Sequence, residues 1–348
     1  MFKTYYTDNE RSKYNALTNF TISDRRDGKT TFIKARGFCD FIKNKKQYIY
    51  VRRNDSEFEK IMYETFYNDI IKDVKQNTFR YEDKTINEII NYDFLGTKMA
   101  IYIRKKGTQQ WETLCYLIPL SKAGKLKSAI EIKDIARIEY DEFVPLGYSY
   151  LKNEMTLLME LYKSIDSDRD SVELNLYGNR IDEFNPFFDF FDIHLGIQKE
   201  QIKLYKDGTV LVEIYVNKEH REIRKESRLN KMVKNTAYED YNNGGTLLGQ
   251  NVKIKSVDGA EYFSSFQTSI GDGTIYVNQN IIIVSSNKRK DGFVITDKIY
   301  PIQRKQYLCT YGNIPTMIKF AYKTGNLFYT SKECYHKFEP ILNKIGGM

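Results

Sequence analysis

Phe20-Thr21-Ile22 runs into Ser23-Asp24-Arg25-Arg26-Asp27-Gly28-Lys29-Thr30, and the reading of this stretch decides the fold. A short apolar strand, a polar turn closed by Gly-Lys-Thr and a helical pattern beyond it are the parts of a phosphate-binding loop. In such a loop, backbone N–H groups at a helix N-terminus hold phosphates, the Lys reaches the outer phosphates and the hydroxyl holds Mg²⁺. Ser23 stands where the motif usually begins with Gly, so an ordinary polar strand-to-helix turn is the competing reading. Ser23, Asp24, Arg25, Arg26, Asp27, Gly28, Lys29, Thr30 and Thr31 are the candidate nucleotide contacts.

A second segment, Ile138-Glu139-Tyr140-Asp141-Glu142-Phe143, supplies acids that such a loop needs for hydrolysis. Thr30 and Asp141 are the expected Mg²⁺ ligands, and Glu142 is the expected base that orients and activates water. A simple nucleotide kinase needs no such water-activating acid. Glu139 interrupts the apolar run of its strand; an exposed edge or a side-chain partner would account for it. Asn179, after the strand Val172–Tyr177, reads either as a γ-phosphate sensor or as a turn residue beside Gly178. Arg52 and Arg53 leave the strand Gln47–Arg52 towards the nucleotide or into structural ion pairs; the same choice holds for Arg25 and Arg26.

The 348 residues carry a net charge of +8, and the excess is uneven. Residues 1–194 hold 31 basic and 31 acidic side chains, whereas residues 195–348 hold 23 and 15. A basic C-terminal part suits a polyanion, although solubility alone also explains it. Cys39, Cys115, Cys309 and Cys334 form no CxxC pair, and His194, His220 and His336 stand apart, which argues against a zinc site and a disulfide scaffold. No apolar run is long enough to span a membrane and no signal peptide opens the chain, so a cytosolic protein with reduced thiols is expected.

Periodicity predicts helices over Thr30–Asn44, Glu57–Val74 and Asn153–Ile165, a hairpin from Lys98–Arg104 and Glu112–Ile118, and strands at Ile135–Tyr140 and Val172–Tyr177. Residues 1–18 read as an arm or short helix. Strands that end in polar residues and lead into helices indicate an open α/β sheet with its site at the strand C-termini. Residues 195–244 are charged and end in Asn242-Asn243-Gly244-Gly245, a hinge-like run, with a basic helix over Glu219–Lys234. Short strands follow at Asn251–Ser256, Glu261–Thr268, Thr274–Val277, Asn280–Ser285 and Gly292–Thr296. Helical patterns close the chain near Asn313–Tyr322 and Lys332–Lys344. Domains are thus expected at 1–195 and 246–348, joined by a linker at 196–245.

Gln47-Tyr48-Ile49-Tyr50-Val51-Arg52-Arg53, Ile118-Pro119-Leu120-Ser121, Asp141-Glu142-Phe143 and Gly178-Asn179 with Phe184-Asn185-Pro186-Phe187-Phe188 together resemble the DNA-encapsidation ATPases of small protein-primed tailed phages, relatives of the terminase large subunits. The resemblance is strongest over residues 15–195. It implies a three-layer P-loop ATPase domain of the additional-strand catalytic-glutamate type, followed by a smaller α+β RNase H-like domain. It implies ATP and Mg²⁺ as cofactors. The expected partners are double-stranded DNA, the portal of a procapsid, in some members a packaging RNA, and copies of the same chain in a pentameric ring. Such a motor works in the host cytoplasm, docked transiently on the procapsid, and is absent from the mature virion.

In the matching family segment an arginine finger reaches a neighbouring subunit, and Arg169 is the arginine available there; a local ion pair with Asp166 or Asp170 is the alternative. The acids of the C-terminal part (Asp258, Glu261, Asp272, Asp291, Asp297, Glu333 and Glu339) fall mostly in turns, so a nuclease-like domain without nuclease activity is expected. Lys122, Lys125, Lys127, Lys288, Arg289, Lys290, Arg304 and Lys305 are the candidate DNA contacts. Two competitors remain: a terminase with a working nuclease, and a non-enzymatic nucleotide- or DNA-binding module.

Overall fold

The computed structural model describes residues 3–126, 134–145, 150–167, 169–179, 185–193, 201–217, 227–233, 253–287, 289, 291–302 and 304–345. Two compact units divide the chain, Met1–Leu248 and Gly249–Met348.

In the first unit, β2 (Thr18–Ser23) leads through the Asp24–Gly28 turn into α1 (Lys29–Asn44), and β3 (Gln47–Arg52) follows. Every residue of β2 is buried, as are the four inner residues of β3. Strands covered on both faces read as continuous β-forming runs, the mark of a parallel sheet with helices on each side. Then come β5 (Tyr92–Gly96), β6 (Ala100–Lys105), β7 (Glu112–Pro119), α4 (Ala123–Leu126), β8 (Ile135–Asp141), α5 (Glu154–Asp166), β9 (Glu173–Asn179) and α6 (Pro186–Phe191). With β10 (Gln201–Tyr205) and β11 (Val210–Ile214) they build a nine-stranded sheet of order β10-β11-β2-β9-β8-β3-β7-β6-β5. The run β11-β2-β9-β8-β3-β7 is parallel throughout. β9 stands between the loop strand β2 and the acid strand β8, the place of the expected additional strand.

Each face of this sheet has its own core. Phe32, Phe38 and Phe41 of α1 pack with Tyr48, Tyr50 and Ile70 on one side. Leu158, Leu161 and Ile165 of α5 and Phe187 and Phe188 of α6 pack with Phe20, Ile49, Ile138 and Leu176 on the other. The architecture is therefore three-layered.

Several expectations are corrected. The helix expected over Glu57–Val74 is broken into α2 (Lys60–Glu64) and α3 (Asn68–Lys75). Between them Thr65 Oγ1 turns back to the carbonyl of Ile61, and the following Phe66 and Tyr67 are buried, so side-chain bonding and core packing override the helical pattern. The expected linker is partly sheet: β11 pairs with β2, and β10 pairs with β11. All five residues of β11, Val-Leu-Val-Glu-Ile, are buried, and their backbone groups satisfy the otherwise open edge of β2. Of the basic helix, α7 (Arg228–Val233) is described, while residues 218–226 and 234 lie outside the described residues. The N-terminal segment contributes β1 (Lys3–Thr4), which pairs with β4 (Phe79–Arg80), and a short 3₁₀ turn at Arg11–Tyr14.

Glu139 has a side-chain partner and no exposed edge. It is fully buried in the central strand β8 and accepts from Arg137 Nε at 2.9 Å. Burial pushes its pKa up, opposed by the guanidinium groups of Arg137, Arg36 and Arg11.

The second unit has a six-stranded sheet of order β16-β15-β12-β13-β14-β17. β12 (Glu261–Gln267), β13 (Asp272–Asn278) and β14 (Ile281–Ser285) form an antiparallel meander. β15 (Val294–Thr296) lies parallel beside β12, and β16 (Gln306–Leu308) beside β15. β17 (Leu327–Tyr329) runs parallel to β14. α8 (Ile314–Lys323) and α9 (Lys332–Ile345) supply Ile318, Phe338, Ile341 and Leu342 to a core with Phe266, Ile275 and Val284. The three-residue strands β16 and β17 are too short to leave a period. Of the strand expected at Asn251–Ser256, Ile254 makes an isolated bridge to Tyr329 and residues 251 and 252 lie outside the described residues. All four cysteines are free and buried. No helix among the described residues is long and apolar enough to cross a membrane.

Candidate active site

The site forms where β2, β8 and β9 end. Gly28, the N-cap of α1, adopts φ +86°, and a Cβ there would fall 2.3 Å from Cδ1 of Tyr5. Both the left-handed backbone and the lack of room demand glycine. Its absent side chain leaves the first N–H groups of α1 without a side-chain cap, the arrangement that receives anions.

Lys29 opens α1 and is 7% exposed. Its Nζ donates to Ser23 Oγ at 2.8 Å, to the Asp24 carbonyl at 3.0 Å and to Asn179 Oδ1 at 3.2 Å. Ser23, the departure from the usual motif, thus supplies a bond to the ammonium. Burial lowers the Lys29 pKa to about 8, outweighing Asp27, Asp141, Asp24 and Glu142, which act to raise it.

Thr30 Oγ1 donates to Asp141 Oδ2 at 2.6 Å. Tyr50 OH donates to the same oxygen at 2.7 Å, and Arg52 Nη1 approaches it at 3.4 Å. A hydroxyl and a carboxylate oxygen side by side are hard donors suited to Mg²⁺, which takes one or two carboxylates and completes its shell with water and phosphate oxygens. The residues present fit that ion. Glu142 follows with φ +59°, a left-handed backbone that few non-glycine residues adopt, and its Oε2 accepts from Arg52 Nη2 at 2.9 Å.

These side chains line one cleft of about 360 Å³: Tyr5, Arg25, Arg26, Gly28, Lys29, Thr30, Thr31, Asp141, Glu142 and Asn179. Residues from four separated parts of the sequence converge, three of them at strand ends as the sheet argument requires. Tyr5 and Tyr50 were not foreseen. Tyr50 shares the period-2 face of Arg52 on β3 and could have been found that way; nothing near Tyr5 in sequence signals its place.

Arg53 is a correction. It lies outside the cleft, 4% exposed, with Nε bonded to Glu154 Oε1 and Oε2 at 3.0 and 2.9 Å and Nη2 to the Phe143 carbonyl at 2.6 Å. Successive strand residues point to opposite faces, so Arg52 meets the acids while Arg53 enters the other layer. Arg169 is exposed and donates to the carbonyls of Asp166 at 2.8 Å and Ile165 at 2.7 Å, capping the end of α5; it is not a lining residue of this cleft.

Among the DNA candidates, Lys122 Nζ pairs with Asp55 Oδ2 at 2.6 Å. Arg289 lies over the Tyr262 ring at 4.9 Å and Lys305 over the Tyr307 ring at 5.1 Å. Arg304 departs from the exposed cluster expected: its guanidinium bonds the carbonyls of Arg289, Asp291 and Gly292 and the Ser265 hydroxyl, fastening that turn. Lys127, Lys288 and Lys290 lie outside the described residues, as does the side chain of Lys125.

The podovirus DNA encapsidation protein (Gp16) family matches the chain over residues 1–344. The chain belongs to this family. A relative described as a DNA packaging protein, from Bacillus phage phi29, is 24% identical over 288 residues, which cover 81% of this chain and 79% of the relative. Among solved structures, the N-terminal domain of the DNA packaging ATPase from bacteriophage phi29 is 25% identical, with a TM-score of 0.50, covering 61% of this chain and 96% of that one. The bacteriophage Phi-29 viral genome packaging motor assembly gives a TM-score of 0.66 at 19% identity, over 98% of this chain and 99% of that one, a likeness of fold. The family expected from the sequence motifs is the family found.

Proposed function

We propose that this family member is an ATPase motor that drives double-stranded viral DNA into a preformed procapsid through its portal. One observation carries the reading: Lys29, Thr30, Asp141, Glu142 and Asn179 line a single cleft at the ends of parallel strands, in a DNA encapsidation protein. The first-turn N–H groups of α1 and Lys29 bind the phosphates. Thr30 and Asp141 hold Mg²⁺, which when bound neutralises phosphate charge. Glu142 takes the proton of the attacking water, and Asn179, bonded to Lys29, registers the terminal phosphate. Arg25 and Arg26 flank the phosphates, and Arg169 serves a neighbouring subunit in a pentameric ring.

The second unit is read as RNase H-like and nuclease-inactive, reused to bind DNA, portal or RNA. Its meander with β15 parallel beside β12 supports the first part. Local engagement of its acids supports the second: Asp297 accepts from Tyr300 OH, Asp258 from Ser256, and Glu333 pairs with Lys337. The motor acts in the host cytoplasm, docked on the procapsid. Phosphate release from ATP, measured with and without double-stranded DNA, tests the reading; DNA-stimulated release supports it, and no release under either condition rejects it. Metal-dependent nicking of plasmid DNA would favour the terminase with an active nuclease.

A further inference from the structure

The lining of the cleft is mostly polar, with one exception. Lys29, Thr30, Asp141, Glu142 and Asn179 supply polar and charged groups fit for phosphates and a cation. A nucleotide also carries a flat, weakly polar base, which needs an apolar face. Tyr5 is the one aromatic side chain among the lining residues.

Its ring is held from several sides. The hydroxyl donates to Asp73 Oδ2 at 2.9 Å. The Phe79 ring lies 5.3 Å away, centroid to centroid, on β4, the partner of β1. The ring also presses on Gly28, where any Cβ would collide with it, and the next residue, Tyr6, donates its N–H to the Asp27 carbonyl at 2.8 Å. A segment more than twenty residues upstream is thereby clamped on the phosphate loop itself, with Tyr5 among the residues that line the cleft.

We infer that Tyr5 is the base-stacking wall of the nucleotide site. This rests on the ATPase reading above and deepens it. Stacking uses the π-face that every base possesses, so Tyr5 contributes affinity for a nucleotide over a bare polyphosphate without choosing among bases.

The test compares Mg²⁺-ATP with Mg²⁺-tripolyphosphate, which has the phosphates and no base, by calorimetry on the full chain. Tyr5→Ala is expected to weaken ATP about tenfold and to leave tripolyphosphate within about twofold. Tyr5→Phe keeps the ring and is expected to retain ATP within about threefold. Equal losses for both ligands in Tyr5→Ala would mean that the ring merely props the loop, and unchanged ATP binding would remove any role; either overturns the inference. A wild-type chain that binds neither ligand would reject the nucleotide site and the inference with it, whereas wild-type binding of both isolates the result to Tyr5.

Discussion

Arg52 Nη2 lies 2.9 Å from Glu142 Oε2, and the same guanidinium reaches Asp141 at 3.4 Å and Glu57 at 3.0 Å. Arg52 is thus shared among the acid assigned to water, the acid assigned to metal and an acid beyond the cleft. Glu142 itself sits at φ +59°, a conformation that costs on the order of 1–3 kcal/mol in a non-glycine residue and persists only where surroundings enforce it. The Phe143 N–H, bonded to the Tyr177 carbonyl at 3.1 Å, and the Arg52 pair supply that enforcement.

Glu142→Gln should therefore keep the cleft's shape and its ATP affinity while losing the base. A positioned general base is worth about 10²–10⁴ in rate. Single-turnover hydrolysis should slow by that range while the dissociation constant for ATP changes little. Wild-type hydrolysis in this variant would remove Glu142 from its role.

ATP binding should take up a proton above neutral pH. Burial depresses the Lys29 pKa to about 8, so above that pH the free protein holds a neutral amine, while the bound phosphates require the ammonium. Affinity should fall as pH rises through about 8, and calorimetry at pH 8.5 in buffers of different ionisation enthalpy should reveal the uptake. Lys29→Ala should abolish ATP binding. Uptake of no proton on the alkaline side would show that the amine is already charged there.

Arg53 and Glu154 should matter for stability and not for ATP. Their pair is buried, with side-chain exposures of 4% and 0%. Removing one partner of such a pair leaves an uncompensated charge and costs about 3–5 kcal/mol. Urea unfolding of Arg53→Ala should show that loss, while the KM for ATP of the folded fraction stays within about twofold of wild type. A raised KM at unchanged stability would return Arg53 to the nucleotide.

Much of the site was legible because its chemistry is written locally. Gly28-Lys29-Thr30 after a buried strand, and Asp141-Glu142 ending another, specify residue type and element together. Alternation puts Arg52 and Arg53 on opposite faces, but which of the two meets the acids was not legible, since the partner of Arg53, Glu154 on α5, lies about a hundred residues away. Tyr5 was invisible because its position depends on β1 pairing with β4, a contact across more than seventy residues with no pattern in a two-residue strand. The break at Thr65–Tyr67 follows from tertiary burial of aromatics that also fit a helical period. β11 carried a signal that the expected linker passed over: Val, Leu, Val and Ile stand together within charged surroundings, and all five positions of the strand are buried.

Arg169 should complement in trans. In the isolated chain its guanidinium caps α5 through the carbonyls of Ile165 and Asp166, leaving it exposed at a helix end. Arg169→Ala and Lys29→Ala subunits, each inactive alone, should regain hydrolysis when mixed, because some interfaces then pair an intact loop with an intact arginine. An arginine finger is worth about 10³–10⁵ in rate in GTPase systems. No recovery despite mixed assembly would confine Arg169 to capping.

The central claim is that hydrolysis at the Lys29–Glu142 cleft moves DNA. Purified empty procapsids, double-stranded DNA and ATP are incubated with the protein, and DNA surviving nuclease digestion is measured. Wild type is predicted to protect DNA in an ATP-dependent manner, whereas Glu142→Gln, still bound to ATP, protects none. Protection by Glu142→Gln at the wild-type level, or protection by wild type without nucleotide, would contradict the account.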